Sequence, residues 1–351
     1  GHAYYNEGRF DESADSYQRV LLENPSSEEA REARYGRVLT RLRSGNTEQF
    51  IRDVRSLIQK EPDHKLATTL QFQVAEIYLA QKRYSDAVAA YVRVLRKGGR
   101  ESHIALFRIG EIKRLEGKPE EAADYFRDLL EKFPDSRVRG DARFRLAESL
   151  GALGDCEGAL AEYRLFILQH PSHSLLTEAR YTAGTCALRL KNQEAAEKFF
   201  SQVVRSGGSG NLVARSHYEL GRFAREKGRF DESLSHMEAA SKGGVSPKLQ
   251  PRLQFELGSL RQSLKQYPRA VVEYLKVVYL HPREKALGSR ALLEVAGIYE
   301  LQGKRARALD LYRKVRRDSP EPSVRERART RIVSLKKSSN GKPKGSAEKV
   351  R

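Results

Sequence analysis

Apolar residues recur along this chain at steps of three and four, broken every fifteen or so positions by glycine or proline. The stretch Phe107 to Ser136, FRIGEIKRLEGKPEEAADYFRDLLEKFPDS, shows the unit most clearly. Phe107, Ile109, Gly110 and Ile112 fall on one helical face; Gly117 and Pro119 interrupt the pattern; Ala122, Phe126 and Leu129 resume it, and Pro134 ends it. The spacing predicts two short helices joined by a tight turn. Helices in such a hairpin approach closely only where side chains are small, which accounts for Gly110 and Ala122, with Phe126 filling the space beside them. Neither helix can bury its apolar stripe alone.

The unit repeats. Pro25, Pro62, Pro171, Pro282 and Pro320 match the closing Pro134, and the steps from Pro25 to Pro62 and from Pro134 to Pro171 are both 37 residues. Gly98-Gly99, Gly207-Gly208 and Gly243-Gly244 stand where proline is missing and are expected to stop the helix through the left-handed backbone. The small position of the first helix recurs as Ala75, Gly110, Ala147, Gly184, Gly221, Gly258 and Ala296. Twelve residues on, a second recurs as Ala87, Ala122, Ala159, Ala196, Ser233, Ala270 and Ala308, and four beyond that comes Tyr91, Phe126, Tyr163, Phe200, Met237, Tyr274 or Tyr312. Unit two departs from this, with Val38 in the small position and a longer turn from Ser44 to Thr47.

With Leu220-Gly221, Leu257-Gly258 and Ile109-Gly110, the Ala-x3-Phe/Tyr pairs and the closing prolines, the chain resembles the tetratricopeptide-repeat family over about nine units from Tyr4 to Pro320. The step is nearer 37 than 34, and an aromatic sits three before the small position (Phe72, Phe107, Phe144, Tyr181, Tyr218, Phe255). This longer variant resembles the repeat arrays of bacterial envelope and outer-membrane assembly proteins. The resemblance implies an all-α, right-handed α-solenoid of about nine helix-turn-helix repeats with a C-terminal capping helix. Residues 1–320 form the array, 321–337 a basic cap with Val324, Ala328, Ile332 and Leu335 on one stripe, and 338–351 a disordered basic tail. Gly1 falls in the small position of a first helix whose earlier half is missing, so the chain is expected to be a fragment, with any leader, anchor or further repeats upstream.

Composition fits an extended array, with 39% hydrophobic and 32% charged residues among 351. No apolar run reaches the length of about 20 residues that spans a bilayer. The net charge of +19 is uneven: from Lys304 onward seventeen Lys and Arg face five acids, leaving only +7 for everything before. This basic end reads either as a solubilising cap or as a surface for an acidic partner or an anionic membrane; nucleic acid is disfavoured, because no binding motif is present and no aromatics interleave the charge.

In the family resembled, first helices line a concave groove through the positions six before, three before and one after the small residue. The first of these holds Arg215, Arg252 and Arg290 late in the chain and Asp141 and Glu178 earlier; the last holds Glu76, Glu111 and Glu148. Arg215, Tyr218, Arg222 and Arg225, spaced by three, four and three, would add a basic stripe, with Tyr181, Tyr218 and Phe255 either as ligand anchors or as packing between helices. Glu219, Glu256 and Glu294 each follow one of the three arginines by four residues, so surface ion pairing is the competing account.

Nothing in the sequence marks a catalytic centre, a cofactor site or a small-molecule site. His170 and His173, in the turn HPSH, read as solvated turn residues rather than metal ligands, and Cys156 and Cys186 as buried free thiols rather than a disulfide. The expectation is a non-catalytic scaffold that binds a protein or peptide with an acidic segment, at Tyr181, Arg215, Tyr218, Arg222, Arg225, Arg252, Phe255 and Arg290. The alternative is a regulatory repeat domain of a larger enzyme or secretion protein. The resemblance favours the periplasm or cell envelope over the cytoplasm, with membrane contact confined to the basic end or to an upstream anchor.

Overall fold

In the computed structural model, residues 1–43, 45, 47–207 and 210–340 are described, with side chains followed through 337. Among them are helices and no strand. The helices fall into consecutive hairpins: α1 (His2–Asn6) with α2 (Phe10–Glu23), α3 (Glu28–Arg43) with α4 (Thr47–Lys60), α5 (Ala67–Ala80) with α6 (Tyr84–Lys97), α7 (Ser102–Leu115) with α8 (Pro119–Lys132), and α9 (Arg139–Ala152) with α10 (Cys156–Gln169). Then follow α11 (Leu176–Arg189) with α12 (Gln193–Arg205), α13 (Asn211–Glu226) with α14 (Phe230–Lys242), α15 (Gln250–Ser263) with α16 (Tyr267–Leu280), α17 (Lys285–Leu301) with α18 (Arg305–Asp318), and the unpaired α19 (Pro322–Asn340). Second helices begin at Cys156, Gln193, Phe230 and Tyr267, each 37 residues after the one before. The chain divides into two compact units, Gly1–Leu176 and a second from Thr177 onward. No described helix is long and apolar enough to cross a membrane.

The small positions do what their spacing predicts. A methyl group added at Gly110 would lie 2.6 Å from Phe126, at Gly184 2.7 Å from Phe200, and at Gly258 2.8 Å from Tyr274. Each ring therefore rests on the backbone of the first helix. The first-helix aromatic then packs at a tilt against the same ring: Phe107 and Phe126 have centroids 5.8 Å apart, Tyr181 and Phe200 5.7 Å, Phe255 and Tyr274 5.3 Å. Where serine replaces alanine in the second small position, its buried hydroxyl is satisfied locally. Ser233 donates to the Gly221 carbonyl at 2.7 Å, and Ser13 donates to that of Gly1 at 3.0 Å. Unit two compensates its bulkier Val38 with Val54 in place of the ring, and both are buried.

The turn inside each hairpin has a requirement that the sequence pattern left unread. Gly117 and Gly154 take positive φ there (73° and 87°), and the equivalent positions Lys82, Lys191 and Lys265 do so as well, at 58–59°. A side chain in this conformation costs about 1 kcal/mol. Among the glycine pairs, Gly98, Gly99 and Gly207 are left-handed as expected, whereas Gly243 has φ −76° and only Gly244 turns. Gly208 and Ser44 lie outside the described residues; the longer turn expected in unit two is not found, because α3 ends at Arg43 and α4 begins at Thr47, the same interval that separates the two helices of the other hairpins.

At the C-terminal end Val324, Ala328 and Ile332 of α19 are buried against Leu292, Leu293, Tyr312 and Val315. The helix runs to Asn340 rather than stopping at 337, because its backbone bonds continue past the last apolar residue of the stripe and no glycine or proline intervenes before Gly341. The tail from 341 lies outside the described residues. Cys156 and Cys186 are both buried, and they are not joined in a disulfide.

Two measurements test this packing. Gly110→Val should destabilise the protein by about 1–3 kcal/mol in denaturant titration, since Phe126 must leave its position. Native-state hydrogen exchange should place the loss in α7 and α8, because each hairpin is held by its neighbours. Lys191→Gly, by contrast, should stabilise by about 0.5–1 kcal/mol in the same titration, by relieving left-handed strain.

Candidate partner-binding face

The first helices of the second unit carry the arginines singled out by spacing, and the structure divides them into two groups. Three are occupied. Arg222 donates to Glu219 at 2.8 Å and lies 3.9 Å from Glu226 on its own helix. Arg225 reaches across to the next first helix, where it pairs with Glu256 and donates to Ser259 Oγ at 2.8 Å. Arg290 is clamped by both oxygens of Glu321, each at 2.7 Å, rather than by Glu294. The remaining two, Arg215 and Arg252, are exposed and make no ion pair among the described residues. The i,i+4 pairs expected from sequence are absent from all three arginines: the glutamates in question turn to Arg222, Arg225 and Arg327 instead.

The aromatic candidates are largely covered. Tyr181 is 7% exposed and Tyr218 3%, while Phe255 is half-buried against Tyr274. Tyr181 keeps one face for Arg215, whose guanidinium carbon sits 4.9 Å from the ring centroid. The hydroxyl of Tyr218 is buried and has no hydrogen-bond partner among the described residues. Burial pushes its pKa up, opposed by the nearby Arg252 guanidinium. Between these groups stands Glu219, whose carboxyl is also raised by burial, against the lowering influence of Arg222, Arg252 and Arg215. Arg215, Tyr218, Glu219 and Arg252 therefore share one neighbourhood on α13 and α15.

In the first unit the groove positions are acidic in sequence but neutralised in the fold. Glu76 of α5 accepts from Arg108 of α7 at 3.0 Å, Glu111 of α7 lies 3.3 Å from Arg145 of α9, and Arg145 also holds Glu148 at 2.7 Å. The first two pairs join successive repeats, while Arg145 and Glu148 lie on the same helix. Polarity then reverses: in the first unit the earlier repeat supplies the carboxylate, whereas Arg225 and Glu256 put the arginine first. Reading each position by itself missed this pairing; comparing the residue two before each small position with the charges of the preceding repeat would have found it.

His170 and His173 are not free in solvent. Both are half-buried around Phe166, with ring centroids 5.5 and 5.1 Å from it, and both would lie 3.3 Å from a methyl group placed on Gly140. They fill the space over that glycine. Among the described residues no group of three or more His, Cys, Asp or Glu could hold a metal ion.

The tetratricopeptide repeat family profile matches residues 1–64, 74–137 and 144–211, and a second profile of the same name matches 290–322. The chain belongs to the tetratricopeptide-repeat family. Among solved structures, the C-terminal part of a TPR repeat-containing protein from Cytophaga hutchinsonii matches 73% of this chain and 98% of its own, at 13% identity and a TM-score of 0.56. A tetratricopeptide repeat protein from Parabacteroides merdae covers 76% of this chain and 98% of its own, at 18% identity and a TM-score of 0.46. YrrB, described as a TPR protein with an unusual peptide-binding site, covers 59% and 99%, at 18% identity and 0.48. No curated protein matches the chain in sequence. Tetratricopeptide hairpins thus account for both units, and their first helices present the face described above.

If the Arg225 to Glu256 contact joins neighbouring repeats, a double-mutant cycle of Arg225→Gln and Glu256→Gln should return a coupling of about 0.5–1 kcal/mol in denaturant titration. A coupling of zero would make the contact an incidental surface pair.

Proposed function

We propose that this chain is a non-catalytic protein-interaction scaffold that holds an acidic, extended segment of a partner protein against the first helices of its second unit. One observation carries the reading: Arg215 and Arg252, on successive first helices, keep their guanidiniums without a carboxylate partner among the described residues, while the arginines around them are paired. An unpaired, exposed guanidinium offers five donors to an incoming carboxylate and raises the encounter rate with acidic chains. Arg222, Arg225 and Arg290 flank the two on first helices of the same unit, held in their ion pairs. Tyr181 contributes by holding the Arg215 guanidinium over its ring, and Tyr218 and Phe255 by packing the helices that carry it. Family membership supports the protein-binding role, and the 37-residue step supports placing the partner in bacterial envelope assembly.

The reading is tested with a fluorescent hexa-aspartate peptide at low salt, where screening is weakest. Arg215→Gln with Arg252→Gln should weaken binding about tenfold or more, each lost contact being worth about 1 kcal/mol, and Arg215→Glu with Arg252→Glu should remove it. A hexa-lysine peptide should not bind. Equal affinity of the glutamine variant and the parent would overturn the assignment.

A further inference from the structure

The hairpin of α13 and α14 sets two histidines side by side. His217 lies four residues before the small position Gly221, and His236 three after the second small position Ser233. In α9 and α10 the same two places carry Arg143 and Glu162, an ion pair at 2.5 Å. In α17 and α18 they carry Leu292 and Leu311, which share one apolar cluster. Neither arrangement sets two nitrogen lone pairs against each other. His217 and His236 do: their Nδ1 atoms are 2.9 Å apart, with the rings inclined at 45°. Both residues are half-buried, so neither ring is sealed from solvent.

Two neutral imidazoles at this distance share a single proton, one Nδ1 donating to the other. Burial holds both rings below the ordinary imidazole pKa, with His217 lowered further by the nearby His236, so both are free bases at neutral pH. The charged groups acting on His236 are Glu232 and Arg229, which bond to each other at 2.8 Å.

We propose that His217 and His236 form a two-nitrogen site for a divalent copper or nickel ion, which clips α13 to α14. The distance selects the class of metal. With metal–imidazole bonds of about 2.0–2.1 Å, nitrogens 2.9 Å apart subtend about 90° at the ion, the angle between neighbouring ligands in square-planar or tetragonal Cu(II) and Ni(II). A tetrahedral zinc ion needs its nitrogens about 3.3 Å apart. On binding, the shared proton passes from Nδ1 to Nε2 of the same ring, and a small rotation of each ring turns both Nδ1 lone pairs onto the ion. Two waters leave the hydrated metal, no net proton is released and no oxidation state changes. The other coordination positions stay with water, since among the described residues no third ligating side chain joins the pair. The site is separate from the arginine contacts and does not depend on them.

The test is copper titration of the full chain carrying His2→Asn, since the terminal amine with His2 would otherwise compete for the metal. Electron paramagnetic resonance should show one Cu(II) per chain coordinated by two imidazole nitrogens, and hydrogen exchange should slow in α13 and α14 when copper is added. His217→Asn and His236→Asn should each weaken binding about a hundredfold, because the second ring acts at the effective concentration set by the first. Changing His217→Arg together with His236→Glu rebuilds the ion pair of α9 and α10, so this variant should keep the hairpin folded and lose the copper signal. His170→Asn, in the first unit, should leave the signal unchanged. Equal copper affinity of the starting protein and the arginine–glutamate variant, or a bound copper without imidazole coordination, overturns the site; so does a failure of the starting protein to bind copper at all.

Discussion

Everything in these repeats depends on how closely two helices can approach. Where the first helix offers hydrogen or a single methyl, the ring of the second lies against its backbone, and the apolar stripes that neither helix can bury alone are covered at once. Phe126 on Gly110 and Phe200 on Gly184 are the plainest cases. Their tolerance is narrow, for a ring at 2.6–2.7 Å from an added methyl has no slack. Unit two shows the constraint from the other side: once Val38 fills the small position, the residue opposite shrinks to Val54.

Close approach fixes the spacing of first helices, and that spacing decides which charges meet. Guanidinium and carboxylate groups on successive repeats come within reach and pair, so a face that reads as strongly charged along the sequence is mostly neutral in the fold. Partly exposed pairs of this kind contribute little stability each. Their larger effect is selective. Together with the bonds of Arg222 to Glu219 and Glu226 on its own helix, they occupy Arg225 and Arg290, leave Arg215 and Arg252 as an exposed cationic pair of this face, and confine electrostatic recognition there to a short stretch of α13 and α15.

The fold was legible in the sequence because it is written many times over. Small positions, aromatics and prolines recur at one step, and agreement between copies outweighs irregularity in any one of them. Lys82, Lys191 and Lys265 escaped notice since lysine gives no sign of a left-handed backbone; only their alignment with Gly117 and Gly154 betrays it. The site was less legible. Spacing placed Arg215, Arg222 and Arg225 on one helix, but their fates depend on Glu256, Ser259 and Glu226, and on a ring, Tyr181, from the preceding repeat. Periodicity within a helix cannot rank contacts made between helices. The histidines of the HPSH turn failed for the same reason, as the glycine they cover, Gly140, lies some thirty residues earlier.

The central claim is that a partner lies along the first-helix face of the second unit. Site-specific photo-crosslinking tests it most directly. A benzophenone amino acid placed at Ser259, beside Arg225 on that face, is compared in cells of the source organism with one at Val272, an exposed position on the second helix α16. The account predicts a discrete protein adduct from Ser259, lost when Arg215 and Arg252 are changed to glutamate, and none from Val272. An adduct that forms from Val272 alone, or that survives the loss of both arginines, would contradict it.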